Sequence, residues 1–220
     1  MSKNSNYAFR PADPVCLPIA GSEQRFPVRR IYCIGRNYAD HVKEMGGDVN
    51  RSEPVFFTKA AETIVHSGAD IPYPPNTADV HYEVELVAAM GPDGIFGYGV
   101  GIDLTRRDLQ AGAKKTGGPW ARAKNFHRSA PCSALTLAKD VDLSNAHIVL
   151  RKNGDIVQSS SLSKMIWSVS EIVSRLREDM DLQAGDLIYT GTPEGVGPVA
   201  IGDELSGGVE GLERITVRFV

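Results

Sequence analysis

The stretch His81-Tyr82-Glu83-Val84-Glu85-Leu86-Val87-Ala88-Ala89-Met90 most tightly constrains what this chain can fold into. From Val84 to Met90 every residue except Glu85 is apolar, which reads as a buried strand. Side chains alternate along a strand, so His81, Glu83 and Glu85 share one side while Tyr82, Val84 and Leu86 share the other. Two carboxylates held side by side repel unless one takes a proton or a cation sits between them, and an apolar strand is a costly place for an unpaired charge. A hard divalent metal satisfies both conditions. The competing reading is the exposed, solvated face of an edge strand.

The surrounding composition is that of a soluble globular protein. At 220 residues the chain makes one domain, or one with a small appendage, and is long enough for a sizeable core. Hydrophobic residues at 42% and charged residues at 23% are ordinary values. A net charge of -3 draws no polyanion, and no basic run interleaves with aromatics, so no nucleic-acid partner is expected. No segment approaches the ~20 apolar residues of a membrane span, and Met1 to Asn6 lacks the apolar core of a signal peptide. Cys16, Cys33 and Cys132 form neither a disulfide framework nor a zinc pattern, which points to a reducing cytoplasm.

Residues 1–24 are rich in Ser, Asn and Pro; Pro11, Pro14 and Pro18 are expected to break any regular element, leaving an arm extended or draped over the body. Arg29 to Gly35 reads as the first strand. Asn37 then offers an N-cap, with Asp40 three residues on as in a capping box, for a short helix ending at Gly46-Gly47. On that helix His41 and Glu44 lie on one face, the geometry of a carboxylate orienting an imidazole that activates water. A solvated surface pair has the same spacing. Pro54 to Lys59 reads as a short strand finishing on a lysine, and Ile71 to Pro75 as a rigid extended connector. Gly91-Pro92-Asp93-Gly94 is a turn, and glycine-rich Ile95 to Ile102 a strand that delivers Asp103. Asp103 to Gln110 is expected to be helical, with Asp103 at a strand end or helix start, where a metal ligand and an N-cap are equally served. Lys124 falls in a mixed loop, as readily a surface residue as a functional one. Ile148 to Val157 is a hairpin turned at Asn153-Gly154. Ile166, Val169, Ile172, Val173 and Leu176 make the core-facing stripe of an amphipathic helix. Leu187 to Pro198 is a strand entering a glycine-rich loop whose N–H groups and Thr192 hydroxyl can approach an anion, or which is a plain turn. Ile215 to Val220 is the last strand.

Taken in order, Gly35-Arg36-Asn37-Tyr38-Ala39-Asp40-His41, Phe57-x-Lys59, His81-x-Glu83-x-Glu85-Leu86, Gly101-x-Asp103-Leu104-Thr105-Arg106-Arg107-Asp108-Leu109-Gln110, Lys124 and Gly191-Thr192-Pro193-x-Gly195-Val196-Gly197 resemble the fumarylacetoacetate hydrolase family. The resemblance runs from about Val28 to the C-terminus and is strongest to the short, single-domain acylpyruvate hydrolases. It implies an α+β fold, the mixed β-rich roll of the family's C-terminal domain with a few flanking helices. That catalytic domain would occupy 28–220 behind an arm over 1–27, in a homodimer. It further implies Mg2+ or Mn2+ held by Glu83, Glu85 and Asp103, in keeping with the preference of hard cations for oxygen ligands. His41 and Glu44 match the family's water-activating dyad, Lys124 and Gln110 its groups beside the metal, and Arg36, Lys59 and Thr192 positions lining the same pocket. Two places depart from the family pattern: Ala60 follows Lys59 in place of proline, and Met90 to Phe96 is markedly shorter than the usual link, which carries a short helix.

The activity so implied is hydrolysis of a C–C bond in an acylpyruvate, a 2,4-dioxo acid, with fumarylpyruvate giving fumarate and pyruvate in aromatic-compound catabolism. The same metal-enolate chemistry serves decarboxylation or tautomerisation of oxaloacetate and isomerisation of 2-hydroxy-diene-dioates. His41 with Glu44 favours hydrolysis, the reaction that needs a water placed to attack. A non-enzymatic β-rich protein with a structural ion is the alternative of another class, and predicts a closed site. A fumaryl tail calls for a cation at its distal carboxylate, for which Arg106, Arg107, Arg122 and Arg128 are candidates.

Overall fold

The apolar run after Glu83 forms the strand Val84–Gly91, buried from Val84 to Met90. In the computed structural model, which describes residues 7–46 and 53–220, this strand lies inside a sheet of eight strands. It pairs antiparallel with Leu187–Tyr189 on one side and Gly94–Ile102 on the other. Beyond Leu187–Tyr189 come Ile31–Gly35, in parallel, and Val55–Lys59. Beyond Gly94–Ile102 come Ala130–Cys132 and Ile64–His66. The edge-strand reading of the acidic strand is therefore set aside.

Each parity of the strand meets a different wall. Val84 and Leu86 enter a core shared with Ile148, Leu150, Leu205, Ile215 and Val217 of a second, five-stranded sheet. Further along the same face, Ala88 and Met90 pack beneath Ile172, Val173 and Leu176. Val87 and Ala89 pack with Leu17, Phe26 and Val28 on the opposite face, the one that Glu85 shares. Each fully buried Val, Leu or Met stabilises by about 1.5–3 kcal/mol, so the run can carry one acid that costs several. A second and third acid need partners.

Four helices flank the sheets among the described residues. Helix α1 is Ala39–Glu44, α2 Arg107–Thr116, α3 Ala121–Lys124 and α4 Val169–Asp179. Helix α4 opens on Ser168 with a full capping box to Glu171, so the expected stripe starts later than Ile166, whose N–H instead bonds the Asn37 carbonyl. The hairpin His147–Lys152 to Asp155–Ser161 turns on Asn153 and Gly154 at φ 53 and 95, the primed geometry that Asn-Gly favours. Met90 to Phe96 is a tight hairpin with Gly91 opposite Gly94 and a register shift after Ala89.

Two sequence expectations about local structure need correction. Cys16–Pro18 and Arg25–Pro27 pair as a short hairpin, with Leu17 and Phe26 buried in the core. Pro18 ends that first strand instead of preventing it, since a strand end can spare a backbone donor. Asp103 to Gln110 is not one helix: Thr105–Arg106 pairs with Val80–Tyr82, and α2 begins at Arg107 with Arg106 as its N-cap residue. Asp103 is therefore free of any capping duty.

Candidate active site

Glu83 falls at a break, after Val80–Tyr82 and before Val84–Gly91. The register of the next pair sets Val84 opposite Ile102 and Glu85 opposite Gly101. One step further the Asp103 N–H donates to the Glu83 carbonyl at 2.8 Å. The sheet thereby delivers the third acid to the first two. Gly101 is required there: a Cβ would stand 2.4 Å from the Tyr189 ring. Carboxylate oxygens of buried Glu83, Glu85 and Asp103 lie within 4.8 Å of one another, close enough to converge on one ion. His81 stays outside this cluster, its Nε2 turned to Asp79 Oδ1 at 2.8 Å.

The three acids are partnered unequally. Glu83 takes Lys124 Nζ at 2.7 Å and the Arg107 guanidinium. Asp103 takes Lys124 at 2.6 Å and Lys59 at 2.8 Å, on its two different oxygens. Among the described residues Glu85 has no ion-pair partner; its Oε2 accepts the Gly191 N–H at 2.7 Å. Gly191 makes that approach at φ 96, where a Cβ would lie 2.6 Å from Asn37. Burial, Asp103 and Glu83 together push the Glu85 carboxyl well above its ordinary value. Burial also works against ionised Glu83, but Lys124 and Arg107 outweigh it and hold that carboxyl low. Lys124 is desolvated too, yet Asp103 and Glu83 raise its ammonium above the ordinary value. Asp103 Oδ1 is buried without an aligned hydrogen-bond donor, although Lys59 is close. A strained carboxyl and an unsatisfied oxygen are both relieved by a divalent cation, and three carboxylates without thiolate or imidazole fit Mg2+ or Mn2+.

Helix α1 supplies a second group. Tyr38, not Asn37, is its N-cap residue, and no side-chain cap bond is made. The Asn37 side chain is used elsewhere: its amide donates to the carbonyls of Thr190 and Trp167, and its oxygen accepts the Trp167 N–H at 2.7 Å. The helix ends at Glu44, with Gly46 at φ 71; Gly47 lies outside the described residues. His41 Nδ1 is 3.2 Å from Glu44 Oε2, and Glu44 Oε1 accepts the Gly195 N–H at 3.0 Å. A carboxylate on Nδ1 selects the tautomer with its proton there and leaves the Nε2 lone pair for a water.

Both groups meet at one cavity of about 60 Å3 that is open to solvent. Arg36, His41, Gln110, Lys124 and Thr192 line it together with the three acids. Lys59 does not: it lies wholly buried behind Asp103, with its ammonium on the Leu104 and Lys124 carbonyls. Lys124 ends helix α3 rather than sitting in a loop. The Thr192 hydroxyl accepts from Gln158 at 2.9 Å, and the N–H groups of its loop serve Glu85 and Glu44. An open cavity also counts against a purely structural ion.

The family model for the fumarylacetoacetate (FAA) hydrolase C-terminal region matches residues 30–220. The chain belongs to the fumarylacetoacetate hydrolase family. It is 44% identical over 186 residues to a fumarylpyruvate hydrolase of Ralstonia sp, covering 79% of this chain and 97% of that one. It is 39% identical over 202 residues to the mitochondrial oxaloacetate tautomerase of Homo sapiens, covering 86% and 91%. A crystal structure of fumarylpyruvate hydrolase from Pseudomonas aeruginosa, in complex with Mn2+ and pyruvate, superposes with a TM-score of 0.95 at 45% identity, covering 98% of this chain and 99% of that one. The fold is thus the family's α+β roll. No described helix is long and apolar enough to cross a membrane.

Sequence reasoning did not find Gly191, Gly195, Asn37 or Arg107 in these supporting roles. The first three act through backbone groups or across long sequence separations that spacing does not reveal. Arg107 was visible three residues before Gln110, one helical turn that the structure closes with a bond of 2.7 Å.

Proposed function

We propose that the protein hydrolyses the C3–C4 bond of 2,4-dioxo acids, with fumarylpyruvate yielding fumarate and pyruvate. The observation that carries this reading is that His41, paired with Glu44, lines the same cavity as the acid cluster. Hydrolysis needs a base aimed at water, and His41 offers Nε2 for that role. Glu44, held by Gly195, fixes the ring and stabilises the cation it becomes. The water oxygen adds to C4 as His41 takes its proton; the C3–C4 electrons then pass to the oxygen on C2. A proton from the Lys124 side of the site, or from His41, completes pyruvate at C3. When bound by Glu83, Glu85 and Asp103, Mg2+ or Mn2+ supplies positive charge where that negative charge develops.

Charge supports an anionic substrate. Three carboxylates face Lys59, Lys124 and Arg107, so the protein's own pairs balance before a divalent ion adds its charge. With Arg36 and Lys114 also lining the cavity, the metal-loaded site carries excess positive charge that a dianion offsets. The likeness to oxaloacetate tautomerases supports a second reading on the same ligands, in which proton transfer at C3 replaces water attack. We further propose a homodimer acting in the cytoplasm, in aromatic-compound catabolism. The test is a spectrophotometric assay with Mg2+ or Mn2+ against fumarylpyruvate, acetylpyruvate and oxaloacetate, with pyruvate release followed in parallel. Chelator-sensitive hydrolysis of fumarylpyruvate well above the rest is expected. Turnover of oxaloacetate alone would reassign the protein to tautomerisation or decarboxylation.

A further inference from the structure

The cations around the cavity divide into two sets. Lys59, Lys124 and Arg107 are committed to the acids. Arg36 and Lys114 also line the cavity, yet neither has a hydrogen bond or ion pair to any described residue. Arg36 ends the strand Ile31–Gly35 in a left-handed conformation, φ 63, that a non-glycine residue seldom adopts. Lys114 lies on α2 with its ammonium 5.5 Å from the centre of the Trp120 ring. Burial and the nearby Arg107 and Arg36 charges lower its pKa. Both side chains are exposed at the edge of the cavity and have no ion-pair partner among the described residues, so a carboxylate arriving there can pair with both.

Their position along α2 says which part of a ligand they meet. Arg107, Gln110 and Lys114 occupy one helix face, at i, i+3 and i+7. Arg107 is bound to Glu83 at the acid cluster, so Lys114 stands about 10 Å farther along the helix axis. That span suits an extended seven-carbon chain whose first carboxylate and keto group sit at the acids. The other arginines that the sequence offers for this purpose are engaged: Arg106 packs over Phe126 and donates to the Arg122 carbonyl, and Arg128 donates to the Asp70 carbonyl. Arg122 does not line the cavity.

We propose that Lys114, with Arg36 and the face of Trp120, forms an anion subsite at the cavity mouth that selects dioxo acids ending in a second carboxylate. This rests on the hydrolase reading for the identity of the substrate, but its test does not. Calorimetry on Mn2+-loaded protein compares 2-oxoheptanedioate with 2-oxoheptanoate, two acids of equal length that differ in the distal carboxylate. The diacid is expected to bind about tenfold tighter, with Lys114→Met removing most of that preference and Lys114→Arg keeping it. An equal preference in wild type and Lys114→Met, or none in wild type, overturns the subsite. In parallel, the ratio of kcat/KM for fumarylpyruvate over acetylpyruvate should fall about tenfold in Lys114→Met, chiefly through KM. A wild-type protein that cleaves neither acid but keeps a Lys114-dependent preference overturns the hydrolase reading and supports the subsite. An active hydrolase without that preference does the reverse.

Discussion

Glu85 is the residue whose environment is least comfortable without a cation. Among the described residues it has only the Gly191 N–H for a partner while two other carboxylates stand close, so its carboxyl is driven upward by burial, Asp103 and Glu83. A raised pKa means that the metal-free site holds a proton on Glu85 over a range where an ordinary glutamate is ionised, and a metal must displace it. Metal affinity should therefore weaken as pH falls, and calorimetry in two buffers of different ionisation enthalpy should record proton release on Mn2+ binding. Absence of release near neutral pH would mean that Glu85 is already ionised. The role proposed for His41 belongs to a different step. If its role is general base, His41→Ala should lower kcat on the order of a hundredfold to ten-thousandfold while leaving Mn2+ affinity near wild type, because no metal ligand is touched. A His41→Ala enzyme at full rate would remove the base from the mechanism.

At the scale of elements, what was legible in the sequence was what has a local signature. The acidic strand, the Asn-Gly hairpin, the amphipathic stripe of α4 and the His41–Glu44 spacing all obey periods of two or of three to four residues. Asn37 was misread because its neighbours resemble a capping box, whereas its real partners, Thr190 and Trp167, are far along the chain. Lys124 was ambiguous for the same reason: nothing near it in sequence shows that its ammonium meets Glu83, Asp103 and Thr105 at once. The Asn37 junction ties the start of α1 to the segments before α4 and after Leu187–Tyr189, so it fixes where His41 stands relative to the acids. Asn37→Ala would leave two carbonyls and one N–H without their partner, each worth about 1–3 kcal/mol if buried and unsatisfied. Partial solvation reduces that sum, and a loss of about 2–4 kcal/mol in urea unfolding is expected, together with lower kcat. An unchanged midpoint would show that water replaces the amide without cost.

For the whole molecule, the acid cluster is where strands from distant parts of the chain converge, so its occupancy bears on the stability of the fold as well as on the reaction. An ion that binds only the native state stabilises it by an amount set by concentration over Kd, about 2.7 kcal/mol at a hundredfold excess. For a chain of 220 residues that corresponds to a rise in Tm of roughly 5–10 °C, reversed by chelator. Glu85→Gln separates this effect from simple damage. The amide oxygen can still accept from Gly191, the repulsion with Glu83 and Asp103 disappears, and the side-chain volume is nearly unchanged, so the metal-free variant should melt no lower than wild type. It has nevertheless lost one carboxylate of the proposed ligand set, and the Mn2+-induced rise should shrink or vanish. If the variant melts lower without metal yet keeps the full Mn2+ shift, the ion is held elsewhere, and Glu85 is only a structural acceptor for the glycine loop.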